Sequence, residues 1–128
     1  MGLDMYLEKC SKGANPRKSD TQEIAYWRKA NQIRQWIVSH TNYPADADCE
    51  YHKLTSENII SLRDDCIKVL EDNSLAEELL PTQSGFFFGD TGYNEYYFSD
   101  LEDTVAQLSD VLAMTDFETE DVYYYEWW

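Results

Sequence analysis

The sequence predicts an α+β fold, in which a small mixed or antiparallel sheet is covered on one face by about three helices. Short segments near both ends of the chain alternate apolar and polar residues, which is typical of half-buried strands. Three longer segments carry apolar residues at three- and four-residue spacing, which is typical of amphipathic helices. The length of 128 residues and the hydrophobic content of 43% favour one domain, 1–128, that folds without a metal or a disulfide.

The N-terminal part predicts a strand followed by a long helix. Residues 3–10 alternate apolar and polar side chains, and a polar loop with glycine and proline follows over 11–19. Asp20 and Glu23 have the spacing of a capping box, so the helix is expected to run from Asp20 to about His40. Its apolar stripe consists of Ile24, Trp27, Ala30, Ile33 and Ile37.

The middle of the chain predicts a second strand and a second helix. Residues 49–54 form a short alternating segment. Thr55 or Ser56 is the expected N-cap of the helix, and with Thr55 as the cap Leu54 and Ile59 are placed for a hydrophobic staple. One or two further helical turns are expected over Ser74–Leu80, which end at the proline that follows.

The C-terminal part predicts a hairpin, a third helix and a last strand. Aromatic residues on both sides of a glycine-bounded turn indicate strands near 86–89 and 93–98. Ser99 and Glu102 have capping-box spacing and are expected to start the helix. The strand near 122–128 carries rings on both faces, so we expect it to be paired inside the sheet and not to form a free edge.

The charge of the chain is strongly negative and unevenly distributed. The net charge is −15, yet residues 1–44 hold seven basic and four acidic groups. From residue 71 onward there are 15 acidic residues and no lysine, arginine or histidine. Such a charge disfavours direct contact with nucleic acid or an anionic membrane and favours a basic protein partner. The simpler interpretation is that the acidity keeps a small protein soluble and monomeric.

The sequence offers little support for catalysis or metal binding. The three cysteines lack CxxC spacing, and neither His40 nor His52 stands at zinc-ligand spacing from a cysteine pair. No nucleophile elbow, P-loop, signal peptide or membrane span is present. We therefore expect no enzyme activity, catalytic residue, cofactor or metal, and a cytoplasmic protein with reduced thiols, monomeric or a small homo-oligomer.

Two segments have the composition of a small-ligand pocket. Polar groups next to aromatic rings occur both in the predicted first helix and just before a run of phenylalanines. The pocket residues would be Trp27, Arg28, Asn31, Gln83, Ser84 and Gly85. The alternative is that Trp27 belongs to the core and Arg28 pairs with an acidic residue of the second half of the chain.

Four motifs of the chain resemble a family of small uncharacterised proteins from phages and prophages. They are Gly2-Leu3-Asp4-Met5-Tyr6-Leu7, Ala25-Tyr26-Trp27-Arg28-Lys29-Ala30-Asn31, Leu80-Pro81-Thr82-Gln83-Ser84-Gly85-Phe86-Phe87-Phe88-Gly89 and Tyr93-Asn94-Glu95-Tyr96-Tyr97. The resemblance implies a phage accessory protein that acts in the host cell, and it implies no reaction.

These observations favour an inhibitor that imitates DNA. Its partner would be a basic host defence protein that binds nucleic acid, of the kind blocked by anti-CRISPR or anti-restriction proteins. The expected contact residues are Asp90, Glu95, Asp100, Glu102, Asp103, Asp110, Asp116, Glu118, Glu120 and Asp121. The alternatives are a nucleotide-like ligand held between the 27–31 helix and the 83–89 segment, and a phage structural or assembly component.

Overall fold

The computed structural model describes residues 2–47, 49–85 and 88–128. Within these ranges the chain forms four strands, four α-helices and a single 3-10 turn at residues 73–75. In chain order the elements are β1 (Asp4–Ser11), β2 (Gln22–Arg28), α1 (Asn31–His40), β3 (His52–Leu54), α2 (Ser56–Glu71), α3 (Ala76–Leu79), α4 (Glu95–Met114) and β4 (Glu120–Trp127).

The four strands form one antiparallel sheet in the order β2-β1-β4-β3. The strands β1 and β4 pair along their whole length, from Asp4 opposite Trp127 to Ser11 opposite Glu120. The short strand β3 adds three residues to the other edge of β4. The predicted α+β class is confirmed, and so is the prediction that the C-terminal strand is paired on both sides.

One side of the sheet carries the core. Alternate residues of β1, β2 and β4 are fully or almost fully buried there: Met5, Leu7, Ala25, Trp27, Val122 and Tyr124. The residues between them, such as Tyr6 and Tyr125, are only half-buried and lie on the opposite side. The long helices α2 and α4 pack on each other. The Trp27 indole donates a hydrogen bond to Thr104 Oγ1 of α4 at 2.8 Å, so α4 lies over the core side.

The long first helix predicted from Asp20 is wrong in its first half, because residues 22–28 form β2. The predicted helical stripe included Ile24 and Trp27. In the structure Ala25 and Trp27 are the buried residues of this segment, and their separation of two residues is typical of a strand. Pairing with β1 supplies hydrogen bonds that overcome the helical pattern. Lys29 then adopts a left-handed backbone, φ 56°, and α1 begins two residues later.

The hairpin predicted over 86–98 is also wrong where the structure describes it. Phe86 and Phe87 lie outside the described residues, and the backbone at Phe88 forms a turn. Residues 95–98, predicted as part of a strand, are the first turn of α4. The capping box expected at Ser99 and Glu102 does not form, since α4 begins four residues before Ser99.

The central region agrees more closely with the sequence. The Thr55 side chain accepts a hydrogen bond from the Asn58 amide, and Asn58 returns one to the Thr55 amide, so a capping box starts α2. The expected turns after Ser74 are the 3-10 helix and α3. The strand expected over 49–54 is shorter and covers only His52–Leu54.

A buried ion pair joins α1 to β4. Arg34 and Glu126 are both 0% exposed, and the arginine Nε lies 2.9 and 2.8 Å from the two carboxylate oxygens. The remaining guanidinium nitrogens donate to Gln83 Oε1 and to the carbonyls of Ala45 and Ala47. The pair therefore holds two loops, the one after α1 and the one before α4, against α1 and β4. No helix in the described part of the chain is long and apolar enough to span a bilayer.

Candidate functional site

Three of the expected contact residues stand on the outer face of α4. Glu95, Glu102 and Asp110 are exposed and are separated by seven and eight residues, close to two helical turns in each case. Within the described residues none of the three forms an ion pair or a side-chain hydrogen bond. Between them lie the small exposed residues Ser99 and Ala106, which leave the carboxylates unscreened. We call Glu95, Glu102 and Asp110, with the neighbouring Asp103, the acidic face of α4.

The other two acidic candidates on α4 have local partners. Asp103 accepts a hydrogen bond at 2.9 Å from Gln107, one turn further along the helix. Asp100 is half-buried and turns towards Gln32 of α1, whose amide nitrogen is 3.4 Å away. Burial raises the pKa of the Asp100 carboxyl, and the Gln32 hydrogen bond opposes that rise. Asp100 therefore lies in a recess and not on the acidic face of α4.

Two acidic candidates organise turns, and a third is exposed in one of those turns. The Asp90 carboxylate accepts hydrogen bonds from the Gly92 amide and from Asn94, which lower its pKa. Asp116 accepts from the amide of Glu118 in the turn before β4. The Glu118 side chain is exposed. Local backbone geometry thus explains two of these three carboxylates without a partner.

The last two candidates are neutralised by lysines of the same chain. Glu120 lies 3.3 Å from Lys9. Asp121 is 4% exposed and lies 3.2 Å from Lys12 and 3.5 Å from Lys53. The Gly13 amide donates to Asp121 at 2.9 Å, and this bond is the main reason that its pKa is lowered. These carboxylates tie β4 to the loop after β1, so they are not available as a negative surface.

The ten acidic candidates therefore do not form one continuous surface. Four lie on the acidic face of α4, and the rest stand in a recess, in turns or in internal ion pairs. The two basic residues of α2, Arg63 and Lys68, pair with Asp64 and Asp65 of their own helix. Neither forms an ion pair with a described carboxylate of α4.

The six pocket candidates serve several purposes. Trp27 is buried in the core, as its alternative interpretation held. Arg28 pairs with Asp4, which lies in the first half of the chain, at 2.8 Å. Asn31 is 1% exposed. Its side chain accepts from the Gln83 amide and donates to the carbonyls of Phe88 and Asp90.

The contacts of Asn31 bring the two predicted pocket segments together. Gln83 also accepts a hydrogen bond from Arg34, whereas Ser84 and Gly85 are exposed. The α1 N-terminus and the 83–90 segment are therefore adjacent, as the pocket hypothesis requires. However, they are packed against each other, and the open space lies beside them.

That space is a cavity of about 250 Å³ between the ends of β2, α1 and α4. Of the six predicted pocket residues only Arg28 lines it. The other side chains that matter are Lys29, Gln32, Tyr96 and Asp100. Tyr96 was missed because residues 93–98 were predicted to include a strand, and Lys29 and Gln32 because residues 20–40 were predicted to form one continuous helix. Asn94, a strong N-cap residue type, was the signal that would have placed Tyr96 at the start of α4.

No group of three or more potential metal ligands occurs among residues 2–47, 49–85 and 88–128. No disulfide joins any two of Cys10, Cys49 and Cys66, all of which lie within the described residues. Comparisons with protein-family models, with curated proteins and with solved structures give no match. The functional argument therefore depends on the acidic face of α4 and on the cavity.

Proposed function

We propose that this protein binds a basic partner protein through the acidic face of α4 and thereby covers a groove that otherwise holds nucleic acid. The observation that carries the proposal is the exposure of Glu95, Glu102 and Asp110, none of which forms an ion pair or a side-chain hydrogen bond with a described residue. Lys9, Lys12 and Lys53 are paired with Glu120 and Asp121.

The spacing of these carboxylates supports a specific kind of contact. At 1.5 Å per residue, successive carboxylates of the set stand roughly 10 and 12 Å apart along a helix axis of about 30 Å. A DNA strand carries a phosphate about every 3.4 Å. The acidic face of α4 therefore imitates about every third phosphate, which suits a partner with separate basic pockets better than one with a continuous basic track.

The charge of the whole molecule supports fast association with such a partner. A single exposed ion pair contributes only about 0–1 kcal/mol, so three or four carboxylates alone give modest affinity. A net charge of −15, however, raises the rate at which a basic surface is encountered. The resemblance to phage proteins makes a host defence nuclease the natural partner class, and no chemistry is needed for inhibition by occlusion.

The test compares two variants that lose the same number of charges. The first carries Glu95→Gln, Glu102→Gln and Asp110→Asn. The matched control carries Asp20→Asn, Asp46→Asn and Glu50→Gln, at exposed positions away from α4. Each tagged protein is incubated with a lysate of bacterial host cells at low and at high salt, and the captured proteins are identified.

The proposal requires that wild type and the matched control capture the same nucleic-acid-binding protein at low salt. The α4 variant should capture far less of it, and high salt should release it from all three. Equal capture by both variants would exclude α4 as the contact surface. Capture that resists high salt would exclude an electrostatic mechanism.

A further inference from the structure

The lining of the cavity beside α1 contains groups of opposite character. We call Arg28 and Lys29, at the end of β2, the cationic wall and Gln32 and Asp100 the opposite wall, and Asp90 is a second carboxylate of the lining. Gly89 closes one end, with its φ at +88°, and a Cβ there would lie 3.0 Å from Lys29 Cβ. A side chain at position 89 would therefore crowd the cationic wall. The arrangement favours a ligand with a negative group at one end and hydrogen-bond donors at the other.

The cationic wall is suited to a phosphate or a similar anion. Lys29 is exposed and forms no ion pair with any described residue. Arg28 shares its charge with Asp4 and is 48% exposed at the side chain. The first turn of α1 has no acidic residue and no side-chain cap, so its positive end is not compensated there. Arg28, Lys29 and Gln32, the last of which belongs to the first turn of α1, all line the cavity.

The opposite wall offers acceptors that are not fully used. Gln32 is 2% exposed. Its amide nitrogen donates two long hydrogen bonds of 3.4 Å, to the Tyr97 carbonyl and to Asp100. Its Oε1 accepts no hydrogen bond from the described residues. Gln32 and the half-buried Asp100 both line the cavity, so the Gln32 Oε1 and the Asp100 carboxylate can accept further hydrogen bonds from a bound molecule. A ligand with two neighbouring N–H groups would donate to both.

An aromatic ring stands at the rim of the same cavity. Tyr96 is 72% exposed, in the first turn of α4, while its neighbour Tyr97 is buried. The Tyr96 amide is already capped by Asn94, so its backbone is fixed. An exposed ring on a fixed backbone is a stacking platform for a flat ligand, and such stacking is tolerant of ring identity.

We propose that the cavity binds a guanine mononucleotide, with its phosphate at Lys29 and Arg28, its base on Tyr96, and its Watson–Crick edge towards Asp100 and Gln32. Guanine is the base that presents two adjacent donors, N1–H and the N2 amino group, to a pair of acceptors. Adenine and cytosine place an acceptor at one of those positions, and uracil has a single donor. The volume of about 250 Å³ is that of a small-molecule site.

The test is isothermal titration of the full chain with GMP, and with AMP, UMP and inorganic phosphate for comparison. GMP should bind with one-to-one stoichiometry and more tightly than each of the other three. Tyr96→Ala should weaken GMP by about fivefold or more, the lower limit expected for one stacked base. Lys29→Gln should weaken GMP and inorganic phosphate together. Asp100→Asn should remove the preference for GMP over AMP.

Two control variants define the outcome. Lys18→Ala removes an exposed cation that lies outside the cavity, and Asp46→Asn removes an exposed carboxylate that lies outside it. Both variants should bind GMP as tightly as wild type does. The Tyr96 side chain is exposed, so its replacement is expected to leave the fold intact and can be checked by circular dichroism. Absence of GMP binding at millimolar concentrations, or equal binding by Tyr96→Ala and wild type, would overturn the proposal. Binding of AMP as tight as that of GMP would overturn the base assignment.

Discussion

At the scale of single residues, the buried Arg34–Glu126 pair determines how the two halves of the molecule meet. The guanidinium also lies over the rings of Phe88 and Trp128, at 4.8 and 5.9 Å from their centroids, and Trp128 donates to Glu126. A charge buried this deeply is tolerated only because its counterion and the surrounding acceptors satisfy the hydrogen bonds of the guanidinium. The pair therefore contributes specificity of arrangement as much as stability.

Replacing one member of this pair should be severe. Glu126→Gln leaves the Arg34 charge buried without its counterion, and we expect a loss of about 3–5 kcal/mol in the free energy of unfolding. The double variant Arg34→Met, Glu126→Gln removes both charges and should lose less than the single variant. Urea denaturation of the three proteins measures this. A double variant less stable than Glu126→Gln would contradict the interpretation.

The pH dependence of stability should have a contribution from Asp121. Its pKa is lowered in the folded protein, mainly by the Gly13 amide. A carboxyl of this kind stabilises the fold above its unfolded pKa, about 3.9, and that stabilisation is lost as pH falls through the lower folded value. Asp121→Asn should cost about 1–3 kcal/mol at pH 7.

The measurement is urea denaturation of wild type and Asp121→Asn at neutral pH and at successively lower values. The difference between the two proteins should shrink as pH falls below about 4. A difference that stays constant over that range would show that Asp121 acts by packing and not by charge.

At the scale of elements, the start of α4 places both candidate sites. Asn94 accepts hydrogen bonds from the amides of Tyr96 and Tyr97, and this fixes Glu95 on the outer face and Tyr96 at the cavity. The buried side of the helix then follows from Tyr97, Leu101 and Leu108, at spacings of four and seven residues.

Two single substitutions distinguish this helix start from the one expected four residues later. Asn94→Ala should destabilise the protein by about 1 kcal/mol, because two amides lose their acceptor. Ser99→Ala should be neutral or slightly stabilising, because Ser99 is an exposed position inside the helix and alanine has the higher helix propensity. Thermal denaturation compares them directly. The opposite order would show that α4 begins at Ser99.

The two errors of element prediction have one physical origin. Residues 22–28 fit a helical stripe as well as a strand, and only the partner strand β1 decides between them. Tyr93 and residues 96–98 carry aromatic side chains of the kind that strands favour, but Tyr93 and Tyr97 are also one helical turn apart and their rings lie 5.0 Å from each other. Local pattern does not decide such segments, whereas Thr55, one of the two N-cap residues expected for α2, is confirmed as the N-cap.

At the scale of the whole molecule, the excess of acidic residues divides into two populations. Those of β4 are matched by Lys9, Lys12, Lys53 and Arg34, which come from other elements. Those of the outer face of α4 have no such match within the described chain. The total charge and its segregation along the sequence were readable from composition. Composition did not show which carboxylates remain free, because that depends on the sheet, which brings β4 beside β1.

The same division explains why the candidate sites were only partly foreseen. The predicted acidic list contains the whole acidic face of α4 together with internally paired residues. The predicted pocket identified the right neighbourhood, through Arg28 and Asn31, but Asn31 is consumed in holding the 83–90 segment. Contacts between residues more than 50 positions apart separate these roles, and a linear pattern does not contain them.

The most direct test is competition between this protein and DNA for the captured partner. Fluorescence anisotropy of a labelled duplex bound to that partner is followed as wild type, the Glu95/Glu102/Asp110 variant or the Asp20/Asp46/Glu50 control is added. Wild type and the control should displace the duplex at equal concentrations, and the α4 variant should fail to do so over the same range. Equal displacement of the duplex by all three proteins would contradict the claim that the acidic face of α4 covers the nucleic-acid groove. So would a stable complex that holds the partner, the duplex and this protein together.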